Sequence, residues 1–244
     1  MKNKFIYLAI IAAGFASCEP EFENEVGANY TAGDADFSSY VAIGNSLTAG
    51  YMDGTVYKSG QANSFPNLLA QQFALVGGGE FTQPSYAEDV NNLGGIQGLT
   101  STRLIINASP KTGPNGGLVY DTNKNIVTNG LQPIAGSSTI TLTSQATAYN
   151  NMGVPGAKSF HLLVPGYASS NPYFARHAKT PTSTVLGDAM SKAPTFFTNW
   201  IGANDVLAYA TTGVIGVDQT GNQNIGVYGN NDITDPAAFA FHYN

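Results

Sequence analysis

The chain has a single cysteine, Cys18, among its 244 residues. One cysteine cannot form an internal disulfide, so the chain lacks the framework that stabilises many small secreted proteins. The sequence also contains no Cys/His cluster of the kind that holds a zinc ion. It therefore predicts neither a metal nor another bound cofactor, and folding has to depend on a hydrophobic core.

Charged residues are scarce as well, at 11% of the chain, against about 25% in a typical globular protein. Lysine and arginine together number 10, and aspartate and glutamate 16, which gives a net charge of −6. This balance excludes the basic stripe that a nucleic-acid-binding protein needs. The 28 glycines, 13 phenylalanines and 13 tyrosines indicate a loop- and strand-rich extracytoplasmic protein and argue against disorder.

The N-terminal apolar run, Phe5–Ala16, is too short to span a bilayer, which takes about 20 residues. Lys2 and Lys4 precede it, as in a secretory signal peptide. The tetrapeptide Phe-Ala-Ser-Cys that ends at Cys18 resembles a bacterial lipobox. We therefore expect residues 1–17 to be a lipoprotein signal peptide and Cys18 to carry the lipid. The alternative is an ordinary signal peptide with an incidental cysteine.

Residues 18–36 contain six acidic side chains and no basic one. Their lack of apolar periodicity predicts a solvated tether between the lipid anchor and a folded domain at 37–244. An acidic stretch directly after the lipidated cysteine also resembles the export signal of some outer-membrane lipoproteins. The expected location is the bacterial cell envelope, on the outer membrane.

Three later segments share one pattern, in which a strand-like run ends in glycine and asparagine and leads toward a helix. They are Gly44–Leu47 (Gly-Asn-Ser-Leu), Asn151–Gly156 (Asn-Met-Gly-Val-Pro-Gly) and Gly202–Asp205 (Gly-Ala-Asn-Asp). Recurring strand–turn–helix units predict a parallel α/β sheet. Because ligands bind at the carboxyl ends of such strands, we expect the three segments to meet at one crevice.

An amphipathic helix is predicted over 64–76, between the first two segments. Ser64 is expected to cap this helix, with Pro66 in its first turn. Its apolar residues recur at helical spacing, which predicts one buried face. They are Phe65, Leu68, Leu69, Phe73 and Val76.

The ordered set of three segments resembles the motif blocks of the SGNH (GDSL-like) hydrolase family and, with Cys18, its lipoprotein branch. Asn45 stands where the family usually has aspartate. The resemblance implies a flavodoxin-like parallel sheet flanked by helices, and an enzyme that hydrolyses ester bonds. It implies that Ser46 is the acyl-accepting nucleophile. The oxyanion hole would then consist of the backbone N–H groups of Ser46 and Gly156 and the side-chain amide of Asn204.

The resemblance covers residues 38–76 and 147–212. Residues 77–146 lie outside it, and glycine-rich turns there separate short runs of strand-forming residues. This pattern predicts a β-rich insertion in the 37–244 domain.

The catalytic base has no candidate that fits the family pattern. The resemblance implies an aspartate with a histidine three residues later, near the C-terminus, and no aspartate here has that partner. His161, His177 and His242 remain as alternatives. A helix is predicted from Asp235 to the end of the sequence, where family members carry further strands. We therefore expect an SGNH-like domain that is incomplete at its C-terminus and weakly active.

Two classes of function follow. The first is a serine ester hydrolase of the cell envelope, acting on a small ester substrate that is either a lipid or an acylated glycan. The second is a non-catalytic surface lipoprotein whose insertion binds glycan or protein. In the second case Ser46 only caps the helix that follows it.

We expect Cys18→Ala to abolish lipid attachment, because the lipobox chemistry attaches the lipid through the cysteine thiol. Each buried CH₂ contributes about 0.8 kcal/mol of membrane affinity, so the variant should also leave the membrane fraction. The measurement is metabolic labelling with a fatty-acid probe in a bacterial host. Equal labelling of the parent and the variant would contradict the lipobox assignment.

Overall fold

The computed structural model describes residues 30–84, 103–134 and 147–243. The described residues from Ala32 onward belong to one compact unit. The predicted signal peptide, Cys18 and most of the acidic tether lie outside the described residues. Across the three described ranges, no helix combines the length and the apolar character needed to cross a bilayer.

Short strands and short helices alternate along the described residues. The strands are β1 (Tyr40–Gly44), β2 (Tyr51–Met52), β3 (Thr55–Val56), β4 (Arg103–Pro110), β5 (Thr128–Ile134), β6 (Asn151–Gly153) and β7 (Phe196–Trp200). The α-helices are α1 (Ser46–Ala49), α2 (Lys58–Ala62), α3 (Phe65–Ala74), α4 (Pro172–Ala175), α5 (Val185–Met190), α6 (Asn204–Thr211) and α7 (Pro236–Tyr243). Short 3-10 turns lie at Ser159–Leu163, Tyr167–Ser169 and Ile225–Val227.

A three-stranded parallel sheet organises these elements. Strand β1 lies in the middle, and β6 and β7 pair with it on either side. At the carboxyl end of β1, Gly44 is in register with Gly153 of β6 and with Trp200 of β7. The segments predicted to meet therefore do follow adjacent strands. The predicted mixed α/β architecture, a parallel sheet with helices packed against it, is confirmed at this level.

Strand β1 is buried on both faces. Its side chains point alternately to the two faces, and each face packs against its own apolar cluster. Val41 and Ile43 face a cluster that includes α5, and Tyr40 and Ala42 face a cluster that includes α3. A strand buried on both sides reads as a continuous apolar run, which is how the sequence identified it. The main partners are Met152, Phe174, Val185 and Ala189 on the first face and Leu69, Ala70, Phe73 and Phe196 on the second.

Helix α3 confirms the helix predicted over 64–76 and has Pro66 in its first turn. Ser64 occupies the cap position, as predicted, but its hydroxyl makes no capping bond and instead donates to Gln83 Oε1 at 3.3 Å. The prediction that Leu68 lies on the buried face is wrong. Leu68 is 47% exposed, because the helix is rotated so that a neighbouring stripe meets the sheet. That stripe is Leu69, Ala70 and Phe73.

The described part of the predicted insertion is an antiparallel hairpin. Strand β4 pairs with β5, and isolated bridges at Thr112–Leu118 and Tyr120–Ile126 continue the pairing. The hairpin has the β character that the glycine-punctuated sequence indicated. Residues 85–102 and 135–146 of the predicted insertion lie outside the described residues.

Helix α7 starts where the sequence places it and packs beneath the third motif segment. Asp235 Oδ1 accepts the Ala238 N–H at 2.8 Å, so the aspartate caps the helix. Gly202 has a φ of +111°, and a Cβ there would lie 3.0 Å from the Phe239 ring. A glycine is therefore required at this strand–helix turn both for its backbone conformation and for its lack of a side chain.

His177 is a buried histidine of the core. It is 2% exposed, and its ring meets the edges of Phe174 and Tyr149 at centroid distances of 5.3 and 6.3 Å. Its Nε2 has no hydrogen-bond partner. Burial, with a smaller contribution from Arg176, lowers the pKa of His177 from 6.5 to about 3.

Because His177 is buried in its neutral form, we expect the free energy of unfolding to fall as the pH falls. In His177→Gln this fall should be smaller. The unfolded chain binds a proton on this histidine below about pH 6.5, whereas the folded chain does not, so each pH unit costs about 1.4 kcal/mol of unfolding free energy. Urea unfolding of both proteins from about pH 7 to about pH 4.5 measures the two slopes. Identical slopes for parent and variant would contradict the buried neutral imidazole.

Candidate active site

Ser46 lies at the carboxyl end of the middle strand. The Asn45 N–H donates to Trp200 O at 3.2 Å, and the Val154 N–H donates to Gly44 O at 3.0 Å. These bonds tie the chain that leaves β1 to the chains that leave β7 and β6. Ser46 is therefore held at the edge where all three motif segments emerge from the sheet.

The helix-capping alternative for Ser46 is wrong, because Asn45 is the cap. Asn45 Oδ1 accepts the Leu47 N–H at 3.2 Å, and Ser46 is the first helical residue of α1. The Ser46 side chain is half-buried, and none of the hydrogen bonds among the described residues involves its hydroxyl or its backbone N–H. Both groups are therefore available to a ligand.

Two glycines let α1 lie directly on the strand ends. A Cβ on Gly153 would lie 2.3 Å from the Ala49 nitrogen, and a Cβ on Gly44 would lie 2.1 Å from Thr48 Oγ1. Real Cβ contacts of this length do not occur, so any side chain here would push the serine helix away from the sheet. The position of Ser46 depends on these two absent side chains.

The Asn151 amide links the second motif segment to the serine helix. Its Oδ1 accepts the Gly153 N–H at 3.0 Å, and its Nδ2 donates to Thr48 O at 2.9 Å and to Gln83 Oε1 at 2.9 Å. Asn151 is 1% exposed, so each of these bonds replaces water that the amide loses on burial. The side chain fixes the distance between α1 and the loop after β6.

That loop contains a tight turn with Gly156 at its third position. The Ala157 N–H donates to Val154 O at 3.0 Å, and Gly156 has a φ of +80°. Proline at the second position and a left-handed glycine at the third are typical of a type II turn. The Val-Pro-Gly-Ala sequence therefore sets the conformation of the segment that presents Gly156.

A buried asparagine orients the Gly156 peptide. Asn171 Nδ2 donates to Pro155 O at 2.9 Å, while its Oδ1 accepts the N–H groups of Tyr173 and Phe174. In a trans peptide the C=O and N–H point in opposite directions, so the Gly156 N–H points away from Asn171. It makes no hydrogen bond to a described residue, and the space around the Gly156 Cα is open.

Asn204, the third oxyanion candidate, opens helix α6. Its Nδ2 donates one hydrogen to Ala157 O at 2.9 Å, which leaves the second hydrogen for a ligand. Asn204 and Gly156 line the same cavity, whose volume is about 560 Å³. The structure thus brings two of the three predicted site residues to one space. Ser46 is not among the residues that line this cavity.

A buried polar network holds the second and third segments together. Asp205 accepts the Ser159 N–H at 2.9 Å and the Ser159 hydroxyl at 2.8 Å. Lys158, which is 3% exposed, donates from Nζ to Asp232 O at 2.7 Å. Burial lowers the pKa of Lys158, and the carboxylates of Asp205 and Asp232 oppose that shift. This network places the cavity wall beside Asn204.

His161 lines the cavity but has the wrong tautomer for a base. Its Nδ1 accepts the Lys158 N–H at 3.0 Å, so the proton of the neutral ring lies on Nε2. Burial, together with the Lys158 charge, lowers the pKa of His161 to about 4. A base for Ser46 needs a free lone pair, and this ring offers a hydrogen-bond donor instead.

The other two histidines are held elsewhere. His177 is in the core, and His242 Nδ1 bonds Ala238 O at 2.6 Å within α7. Within the described ranges, no carboxylate bonds any of the three histidines. The described residues therefore contain no bonded His–carboxylate pair, while the Gly156 N–H and one Asn204 Nδ2 hydrogen have no partner among them.

Sequence reasoning missed the contributions of Asn171 and of the 225–231 segment. The Asn171-Pro172 pair signals a helix start, and Asn171 is the cap of α4. Its bond to Pro155 had no sequence signal, because the partner is a backbone carbonyl in another segment.

Comparison of the chain with protein-family models, with curated proteins and with solved structures finds no match. The likeness to SGNH hydrolases therefore depends on the three motif segments alone. What the structure contributes is the position of those segments, at the ends of three adjacent parallel strands.

Gly153→Ala and Gly156→Ala form a matched pair that tests this geometry. Overpacking usually costs about 1–3 kcal/mol, and we expect Gly153→Ala to reach or exceed the top of that range because its Cβ would meet backbone. Gly156→Ala has open space and should cost only the strain of a left-handed alanine, about 1–2 kcal/mol. Urea unfolding measures both. Equal losses, or a larger loss for Gly156→Ala, would contradict the close packing of α1.

Proposed function

We propose that the chain is a serine ester hydrolase of the SGNH type, with Ser46 as nucleophile. The observation that supports it most is the free Gly156 N–H, fixed in orientation at the carboxyl ends of the strands. The strand order supports it too, because the segments come in the order second, first, third across the sheet. That order is the one found at the start of a flavodoxin-like sheet.

The proposed reaction proceeds through an acyl-enzyme. Ser46 Oγ attacks the ester carbonyl, loses its proton to a base, and the alcohol leaves with a proton as the carbonyl re-forms. The Ser46 N–H, the Gly156 N–H and the second Asn204 Nδ2 hydrogen would stabilise the oxyanion. Each such donor is worth about 3 kcal/mol in the transition state. Water then hydrolyses the acyl-serine.

Turnover by this chain should be slow, because the described residues offer no base for Ser46. In serine proteases that lack a triad member, binding and the oxyanion hole still give about 10³–10⁴-fold acceleration over water. We infer residual, serine-dependent hydrolysis of the same origin. An external base should accelerate it.

The location follows from the N-terminal pattern. We propose that lipid on Cys18 and the acidic tether hold the domain at the outer membrane, where it meets small ester substrates. This part of the proposal rests on the sequence, since Cys18 lies outside the described residues.

A second candidate function is that of a binding protein. The hairpin exposes apolar side chains, with Ile106 at 80% and its cross-strand partner Leu131 at 70% exposure. Such pairs on a solvent-facing hairpin are typical of interaction surfaces. The two candidates differ in one measurable property, which is the dependence of ester hydrolysis on Ser46.

The test compares the parent chain with Ser46→Ala and Asn171→Asp, using methylumbelliferyl acetate and added imidazole as external base. We expect imidazole to accelerate hydrolysis by the parent and not by Ser46→Ala. Asn171→Asp keeps the cap oxygen but loses the donor to Pro155 O, so the Gly156 N–H loses its fixed orientation. We expect this change to lower kcat by about tenfold or more, with little change in KM.

Ser109→Ala is the matched control, because Ser109 is an exposed hairpin serine whose hydroxyl makes no hydrogen bond among the described residues. It should behave as the parent does. Identical rates for the parent and Ser46→Ala at every imidazole concentration would refute the hydrolase and favour the binding protein.

A further inference from the structure

We propose that the cavity beside Gly156 and Asn204 binds the sugar part of a neutral acylated carbohydrate. The inference rests on the proposed hydrolase for the ester bond and resolves the choice between lipid and glycan that the sequence left open. The cavity lies between two walls. One is formed by the 3-10 turns of 159–169, and the other by residues 225–231. Its volume of about 560 Å³ suits a small ligand.

Aromatic rings of fixed position form much of the first wall. The His161 and Tyr167 rings stack at a centroid distance of 4.4 Å with an interplanar angle of 11°. Phe160 meets the edge of Tyr228 at 5.6 Å, and the Tyr228 hydroxyl donates to Asn222 O. Phe160 and Tyr167 are buried, and they hold in place the half-buried rings of His161 and Tyr228, which also line the cavity. Because these two rings are already ordered, a sugar ring can pack on them at little entropy cost.

Unsatisfied amides and one imidazole N–H form the polar part of the cavity. The side chains of Asn230 and Asn231 make no hydrogen bonds to described residues, although both line the space. Asn204 has a second Nδ2 hydrogen to donate, and His161 Nε2–H has no partner among the described residues. Together these groups offer both donors and acceptors, which suits the hydroxyl groups of a sugar, since each hydroxyl donates one bond and accepts two.

A long acyl chain fits the same cavity poorly. Its aliphatic lining is limited to Val164, Ala208 and Ile225. A hydrocarbon would displace water from the amides without replacing their hydrogen bonds, and each amide left unpaired would weaken its binding. Discrimination of this kind, by unpaired polar groups, is stronger than discrimination by apolar size.

The charge of the cavity favours a neutral ligand. Lys158 is the cationic lining residue, and its Nζ is bonded to Asp232 O and faces the carboxylates of Asp205 and Asp232. Its charge is thus compensated within the protein. His161 is neutral above about pH 5, since its pKa is near 4. An acidic sugar would therefore gain no counter-ion here.

Binding is tested separately from hydrolysis, with the full chain carrying Ser46→Ala. Saturation-transfer NMR is recorded with xylo-, cello-, manno- and chitotetraose as probes. We expect at least one to bind and the added changes Asn230→Leu and Asn231→Leu to weaken that binding by about tenfold or more, the equivalent of about one lost hydrogen bond. Asn230 is exposed, so its variant should fold even if Asn231→Leu does not.

Asn115→Leu is the control, since Asn115 is exposed on the hairpin and remote in sequence from both walls. It should leave sugar binding unchanged. Failure of the whole panel to bind, or equal weakening by Asn115→Leu, would overturn the inference whatever Ser46 does. Sugar binding without Ser46-dependent hydrolysis would overturn the hydrolase and leave the sugar site standing. In the parent chain, faster Ser46-dependent hydrolysis of ethyl octanoate than of acetylated xylotetraose, two esters with alkyl leaving groups, would also contradict the sugar assignment.

Discussion

Helix α1 lies directly against the ends of β1 and β6. It can do so because Gly44 and Gly153 have no side chains: a Cβ on Gly153 would meet the backbone of Thr48 and Ala49, and a Cβ on Gly44 would meet the Thr48 side chain. The cost is conformational, since glycine loses more backbone entropy on folding than other residues, by about 0.5–1 kcal/mol relative to alanine. This contact holds Ser46, on its short helix, at the carboxyl end of a strand that is buried on both faces.

Neutral amides carry out the positioning that charged groups perform in many active sites. Asn45 caps α1, Asn151 joins α1 to the next motif, Asn171 orients the Gly156 peptide and Asn204 bonds the loop that follows it. A buried amide can be satisfied by two or three hydrogen bonds, whereas a buried charge requires a partner and still loses several kcal/mol, roughly, of hydration. The low charged fraction of the chain, 11%, agrees with a site built in this way.

Strand positions and turn chemistry could be predicted from the sequence because they depend on neighbouring residues. The run before Gly44 had to be a buried strand, and Asp235-Pro236 had to start a helix. The buried face of α3 could not be predicted in detail, since Leu68 and Leu69 are equally apolar. Packing in the cluster that contains Phe196 buries Leu69 and leaves Leu68 exposed. Hydrogen bonds between distant segments, such as that from Asn171 to Pro155 O, could not be predicted either, because every residue has a backbone carbonyl and the sequence does not show which one accepts a bond.

In the proposed hydrolytic site, the oxyanion donors and the general base would make different demands on the chain. Two of the three proposed oxyanion donors are backbone N–H groups, and the Val154–Ala157 turn together with one bond from Asn171 orients the N–H of Gly156. A base needs a histidine in one tautomer, with a carboxylate to hold it, on an element that reaches the serine. His161 shows the difference: a single bond from the Lys158 N–H to its Nδ1 converts a base candidate into a donor. The same bond that removes this ring from acid–base chemistry leaves its Nε2–H available for recognising an oxygen atom of a ligand.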